Sequence, residues 1–436
     1  MKVLMFGWEF PPHISGGLGT ACYGIVTGLL QQEVQVTFVV PKLHGDENRE
    51  AFRLVNASEV LINPAMPVVQ KWVERLQYVE AHSPLAPYTI PEPEETGHTK
   101  VEKTETAIHT EPSKPQRFQM TGKYGGELMQ EVHKYAVVAS EIATTYDFDI
   151  IHAHDWLAYP AGVAAKEASG KPFVAHIHAT EYDRSGENVN QAVFDIEKEG
   201  MQQADHVIAV SEYTRKIVID KYGISPHKVS VVHNGIIFKN NGNNSHLSKG
   251  VQEKVVTFMG RITYQKGPEY FVEAARKVLD VIPDVRFVMA GGGDMMPSMI
   301  ELVAALKMSS RFHFTGFLKG TEVDQMYAMS DVFVMPSVSE PFGIAPLEAI
   351  QANVPVIISK QSGVSEVLKN AIKVDFWDVD ALADAIAALL QYNSLSGLFR
   401  ENGKVDIREL NWEKSASGIK EVYNQKLKQH VSEINE

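Results

Sequence analysis

Beyond residue 254 the sequence alternates between short apolar runs and stretches of helical periodicity. Runs at 255–260, 285–290, 311–316 and 331–336 read as strands, and the segments 269–279, 299–307 and 322–329 between them read as helices. Strands that take turns with helices in this way assemble as parallel sheets with helices on both faces. The earlier half of the chain follows the same rule. Strands are expected at 2–8, 34–40, 148–153, 173–178, 206–210 and 228–232, with helices at 20–32, 126–145, 190–203 and 212–221. In the first of these helices Ile25, Val26, Leu29 and Leu30 recur near helical spacing. The spacing predicts an α/β protein with two parallel-sheet domains, and 436 residues suffice for two cores.

Two stretches break the alternation. Residues 239–250 are polar and carry Asn, Gly, Ser and Lys, so they are expected to be a linker and hinge between domains at 1–238 and 251–410. Residues 84–115 are rich in Pro, Glu and Thr without helical or strand period, which reads as an insertion unable to bury a core. A final helix is expected within 411–436, with Ile419, Val422, Leu427 and Val431 as its apolar residues.

The formal net charge of −13 weighs against nucleic acid and against an anionic membrane surface as partners, and leaves a neutral polymer admissible. The single cysteine, Cys22, excludes an intrachain disulfide and fits a reducing compartment. The apolar opening at 1–8 is cut by Glu9 and two prolines before a signal-peptide core can form. No stretch approaches the roughly 20 apolar residues of a membrane span. A cytoplasmic protein without membrane binding is expected.

Chemistry concentrates at four strand exits. After the strand at 331–336 come Ser339, Glu340, Pro341, Phe342, Gly343, Ile344, Ala345, Pro346, Leu347 and Glu348, with Glu340 in a loop and Glu348 in the helix that follows. In an open parallel sheet such loops form the ligand crevice, and a helix start offers N–H groups to an anion. Two carboxylates would repel a phosphate, so their use is hydrogen bonding to the hydroxyls of a sugar or ribose. After the strand at 255–260, Arg261 and Lys266 stand where phosphate would, a planar fork of donors beside a point charge, and together they suit a diphosphate.

The first strand runs into Gly16, Gly17, Leu18 and Gly19 ahead of a helix, a loop over which a ligand can approach the backbone closely. The strand at 148–153 leads to His154, followed by Asp155 and Trp156, with His152 the alternative on the same strand. Gly291, Gly292 and Gly293 end another strand, where a nucleotide contact and a plain turn explain them equally well. The histidines at 154, 176 and 178 are spread over two strand ends without a local ligand motif, so no metal site is expected.

These motifs together resemble the retaining glycosyltransferases of GT-B fold. Gly260, Arg261, Lys266 and Gly267, then Glu340, Pro341, Phe342, Gly343 and Glu348, look like the sugar-nucleotide half. Trp8, Glu9, Phe10, Pro11 and Pro12 with the glycine loop, and His152, Ala153, His154, Asp155 and Trp156, are similar to the glycogen and starch synthases. The likeness covers the chain except near 50–125. It implies two Rossmann-like domains facing a central cleft, with the last helix packing back on the first domain.

For the site, the resemblance implies catalytic roles for His154, Arg261, Lys266 and Glu340. It implies donor contacts from Gly16, Gly17, Gly19, Phe342, Gly343, Ile344 and Glu348, and an acceptor side at His178 and Glu181. The substrate would be a nucleotide-diphosphate sugar, ADP- or UDP-glucose, with no separate cofactor, and the acceptor an α-1,4-glucan or other glycan. The stretch 343–348 carries the second glutamate of the broader retaining family, which keeps a sucrose-like, trehalose-like or cell-surface product open. A nucleotide-sugar epimerase and an inactive sugar-binding module are the readings of a different class.

Overall fold

The computed structural model describes residues 1–13, 16–47, 52–82, 115–238 and 252–435. The linker expected at 239–250 lies outside them, as does the insertion expected at 84–115 apart from its last residue. One sheet contains β1 (Lys2–Phe6), β2 (Gln35–Val40), β3 (Arg53–Asn56), β4 (Ile150–His154), β5 (Phe173–Ile177), β6 (His206–Ala209) and β7 (Val229–Val231), in the order β3-β2-β1-β4-β5-β6-β7. The other contains β8 (Lys254–Met259), β9 (Val285–Ala290), β10 (Phe312–Gly316), β11 (Val332–Met335), β12 (Val356–Ser359) and β13 (Ile372–Val374), in the order β10-β9-β8-β11-β12-β13. Every pairing is parallel. The chain therefore has two Rossmann-like sheets.

In each sheet the strand order reverses once, between β1 and β4 and between β8 and β11. At such a point the neighbouring loops leave in opposite directions and open a crevice at the C-terminal strand ends. The four segments singled out in the sequence are the exits of these four strands: Gly16 to Gly19 follow β1, His154 ends β4, Arg261 follows β8 and Glu340 follows β11.

Alternation along the strands sends neighbouring residues to opposite faces. In the first domain Leu4, Phe6, Ile151 and Phe173 join one buried cluster with the helices Leu128–Thr145 and Asp155–Ser169. Val3, Met5, Ile150, Val174 and Ile208 join another with Cys22, Ile25 and Leu29 of the helix Gly17–Gln31. Trp412, Ala416, Ile419, Val422 and Tyr423 of the helix Trp412–Asn435 belong to that same cluster, so the end of the chain lies on the first domain. The two helices approach so closely that a Cβ on Gly24 would stand 2.1 Å from the Trp412 ring. The second core centres on Val256, Phe258, Phe287 and Ile357 with Phe271 and Leu382.

Residues 52–82, left without structure by the sequence reading, supply β3 and the helix Pro67–His82. Val69, Trp72 and Leu76, at spacings of three and four, are buried on that helix. The helix Asp155–Ser169 was also not foreseen: it starts directly from β4 with no connecting loop.

Candidate active site

The second domain builds its part from two loops. The loop after β8 places Arg261 in solvent, where Nη2 donates to Gln265 Oε1 at 3.2 Å. Gln265 is buried, and its carbonyl accepts from Val338 N at 2.9 Å, which ties this loop to the one after β11. Across that junction Lys266 Nζ donates to Glu340 Oε2, and Ser337 Oγ donates to the same oxygen at 3.3 Å. Arg261, Lys266 and Glu340 are thus brought to one switch point.

Backbone bonds fix the Glu340 loop. Glu340 N donates to Gln361 O at 3.0 Å, Gly363 N to Glu340 O at 2.9 Å and Val364 N to Phe342 O at 2.7 Å. Gly343 adopts a φ of 103°, in the left-handed region, and a Cβ there would lie 3.2 Å from Glu340 Cγ, so glycine lets the chain turn against the carboxylate. Phe342, expected on the donor, is buried in the cluster of Val210, Ile236 and Leu347, so its ring serves packing. Ile344 packs against that cluster and also against the one around the helix Gly17–Gln31. Tyr327, buried, donates to Glu348 Oε2 at 3.1 Å and orients that carboxylate.

The first domain's part is sealed. His154 is fully buried, and its Nδ1 lies 3.0 Å from His178 Nε2. His152 Nε2 lies 3.2 Å from His176 Nδ1, and His152 Nδ1 bonds to the Tyr423 hydroxyl. Burial holds all four imidazoles neutral, His154 and His176 well below their ordinary range and His152 and His178 at about 3. Nitrogens of His152, His154 and His176 approach within 4.8 Å of one another, but both nitrogens of His152 are committed to hydrogen bonds a cation would have to break. At the neighbouring strand exit the helix Gly17–Gln31 starts with no side-chain cap. Gly16 and Gly17 are exposed and Gly19 buried; a helix start is in general a place where backbone N–H groups can meet an anion.

Glu181 differs from the acceptor-side expectation. Its Oε2 accepts from Arg184 Nε at 3.0 Å, and its Oε1 accepts from Ser185 Oγ at 2.7 Å and Asn190 N at 3.0 Å. Both oxygens therefore hold the turn 181–190 together. Glu197 accepts from Arg184 and Tyr222 in the same network, and burial raises its carboxyl to about 7 against the pull of Arg184.

The Glu340 loop is fastened to the first domain. Ser339 Oγ donates to Asp183, and Tyr213, 2.9 Å away, donates to Ser339 because the serine proton is already used. Thr214 Oγ1 and Ser211 Oγ both donate to the Pro341 carbonyl, the former at 3.2 Å. Glu366 accepts from Glu212 N at 2.9 Å and Tyr213 N at 2.6 Å at the start of a first-domain helix, and from His233 Nε2 at 3.0 Å. Ser211, Tyr213, Thr214 and Glu366 were not singled out in the sequence, since each pair is more than 100 positions apart.

Residues 104–238 match the family described as Glycosyltransferase Family 4, and residues 240–406 match Glycosyl transferases group 1. An uncharacterized glycosyltransferase of Methanocaldococcus jannaschii is 28% identical over 97% of this chain and 98% of its own. Sucrose-phosphate synthase from Thermosynechococcus elongatus superposes with a TM-score of 0.70 at 18% identity, covering 97% of this chain and 98% of that one. Anabaena HepE in complex with UDP and glucose superposes with a TM-score of 0.67 at 18% identity, over 98% of this chain and 100% of the other. Among the described residues no helix is long and apolar enough to cross a membrane. With two glycosyltransferase families matched in succession over two Rossmann-like sheets, the chain is a glycosyltransferase of GT-B fold, the group 1 family matching its residues 240–406.

Proposed function

We propose that the chain transfers glucose from a nucleotide-diphosphate sugar, ADP- or UDP-glucose, to the non-reducing end of an α-1,4-glucan with retention of configuration. The observation that carries this reading is the group of Arg261, Lys266 and Glu340 at the second sheet's switch point. Lys266 rests on Glu340 until a diphosphate takes its place as partner. The bond between the anomeric carbon and the diphosphate oxygen then breaks with its electron pair on oxygen, where Arg261 and Lys266 face the new charge. The acceptor hydroxyl attacks from the same side, and its proton passes to the departing diphosphate.

In this scheme Glu340 stands by the cationic sugar, His154 contacts a sugar hydroxyl, Glu348 holds the ribose, and the N–H groups from Gly16 to Gly19 receive phosphate or sugar oxygens. Two cations already face the leaving group, so the scheme calls for no further cofactor. HepE, bound to UDP and glucose, supports a nucleotide sugar in a cleft of this shape. A second reading, transfer to a small sugar with a sucrose-like product, is favoured by Glu348 and by the likeness to sucrose-phosphate synthase.

The test is a panel of radiolabelled ADP-, UDP- and GDP-glucose with glycogen, with small sugars and sugar phosphates, and with no acceptor. The proposal expects label in glycogen from ADP- or UDP-glucose. Label only in a small product selects the second reading, and conversion of the donor without acceptor selects an epimerase.

A further inference from the structure

We infer that the aromatic surface formed by Tyr270, Phe376 and Trp377 at the C-terminal edge of the second sheet is a docking site for the acceptor glucan, gripping the chain away from the end that receives glucose. This rests on the reading of the protein as a glucan-extending transferase and adds where the body of the acceptor lies.

The sequence has five tryptophans. Trp8, Trp72, Trp156 and Trp412 are buried at 1 to 6% exposure, whereas Trp377 keeps 58%. A ring of that size in water does no work in a core, and it belongs to a larger exposed aromatic patch. Trp377 stands three residues past β13, and its ring meets Phe376 edge-on with 4.8 Å between centroids. Phe376 in turn meets Tyr270 edge-on at 5.2 Å. Tyr270 lies in the first turn of the helix Pro268–Val281 and packs over the residue after Lys266, since a Cβ on Gly267 would stand 3.0 Å from its ring. Three rings thus run from beside Lys266 to the outer strand of the sheet.

A second connection reaches Glu340. Its N–H donates to Gln361 O at 3.0 Å, and the side-chain amide of Gln361 donates to Asp375 Oδ1 at 3.0 Å. Lys360 Nζ donates to the other oxygen of Asp375 at 2.8 Å, and the lysine and aspartate side chains keep 55% and 29% exposure. The strands are parallel, so the exits of β8, β11, β12 and β13 share one edge, the edge that carries Arg261, Lys266 and Glu340. β13 is two strands from β11, roughly 10 Å at the usual spacing. That span exceeds one sugar ring, so a ligand touching both Glu340 and Trp377 is a chain of sugars.

The chemistry of the surface fits a neutral glucan. A pyranose has an apolar C–H face that lies flat on an aromatic ring and a rim of hydroxyls that bond to polar groups beside it. Trp377 and the Asp375–Lys360 pair offer both at one strand exit. The formal charge of −13 sets no barrier to an uncharged polymer.

The experiment uses the intrinsic fluorescence of the full chain, in which Trp377 is the one exposed tryptophan. Maltoheptaose, added without nucleotide sugar, is expected to shift the emission to shorter wavelength and to reduce quenching by acrylamide, and Trp377→Phe to abolish both changes. No change with maltoheptaose overturns the inference, and so does a change that persists in Trp377→Phe. Sedimentation of the same samples covers the other occupant: a shift that follows protein concentration in the absence of sugar gives the surface to a second copy and also overturns it. In transfer assays Trp377→Ala is expected to lower the ratio of kcat/KM for maltoheptaose to that for maltose by about fivefold to tenfold, the scale of one lost aromatic contact. An unchanged ratio overturns it. If the wild-type chain extends neither sugar, glucan extension itself fails, while the fluorescence change still decides whether a glucan binds at Trp377.

Discussion

In the first domain the titratable groups at the cleft are enclosed, with His152, His154 and His176 at 0 to 1% exposure. In the second, Arg261 lies in solvent and the side chains of Lys266 and Glu340 keep 19% and 9%. Enclosure makes the first domain's histidines neutral donors and acceptors fixed by one another. In the second domain Arg261 stays open to solvent, while Lys266 rests on the buried Glu340. In the proposed function a sugar hydroxyl meets the former kind of site and a departing diphosphate the latter, so that scheme divides the ligand between the two halves by chemistry.

Substitutions in the second half should separate the two cations. Lys266→Ala removes a leaving-group donor, and a lost donor of this kind costs about 2.7–4 kcal/mol, or roughly 10²–10³ in kcat. It also strands the buried Glu340 carboxylate, so the thermal midpoint should fall as well. Arg261→Ala should lose comparable activity with its midpoint within about 1 °C of wild type, because surface substitutions stay within about 0.5 kcal/mol. Steady-state kinetics and calorimetry check both. Equal destabilisation by the two variants would show that Lys266 and Glu340 do not form the buried partnership.

The next effect is acid sensitivity, expected chiefly in the first domain. Burial lowers His152 and His178 from 6.5 to about 3, lowers His206 to about 4, and holds His154 and His176 well below 6.5. Below pH 6.5 the unfolded chain binds protons that the native fold refuses, so these groups contribute stability above that pH and lose it as pH falls. Asp155 and Glu197, raised by burial to about 6 and about 7, and Asp183, raised in the same direction, act oppositely. Their contribution is present at low pH and lost as pH rises through those values.

His133 is lowered by burial in the same direction, so six histidines oppose three carboxyls and the net effect between pH 6.5 and 4.5 should be destabilising. Each uncompensated histidine contributes about 1.4 kcal/mol per pH unit. In the described part of the second domain the one histidine, His313, is exposed. Hydrogen exchange at pH 7 and pH 5, corrected for intrinsic rates, should show β4 and β5 losing protection before β8 and β11. Simultaneous loss in both sheets would contradict the contrast.

A smaller effect belongs to the contact between the halves. Ser339→Ala leaves the buried Asp183 without its donor from the other domain, at a cost of about 1–3 kcal/mol to that contact. Since Thr180 N and Oγ1 still donate to Asp183, the first domain should keep its fold while solution scattering reports a larger radius of gyration. An unchanged radius would assign closure to the remaining contacts, those of Glu366, Pro341, Phe342 and Ile344.

The parts of this arrangement legible in the sequence are those that local signals mark. A strand run, a glycine turn and a helix start lie within about fifteen residues of each other at Gly16, Arg261 and Glu340, which is why these read as strand exits, while His154 was placed at the end of its strand by the strand run alone. What stayed hidden depends on contacts between distant positions. Glu181 reads like any acidic residue after a strand until Arg184, Ser185 and Asn190 close on it. Phe342 reads as a ligand contact until Val210 and Ile236, from the other domain, are seen beside it. The orientation of Glu348 by Tyr327 and of His178 by Asp155 likewise follows from how strands are ordered, which no single segment carries. The helix Pro67–His82 could have been read from Val69, Trp72 and Leu76, at spacings of three and four, but no element was expected at 52–82.

The division of the ligand between the two halves is tested most directly by titration calorimetry of UDP and ADP, which lack the sugar. Arg261→Ala and Lys266→Ala should weaken the better of the two nucleotides by at least about tenfold, the loss of one charge-assisted contact. His154→Gln should leave its affinity within about twofold of wild type while abolishing glucose transfer. An equal loss of nucleotide affinity in His154→Gln, or none in the two cation variants, would contradict the assignment of diphosphate to the second domain and sugar to the first.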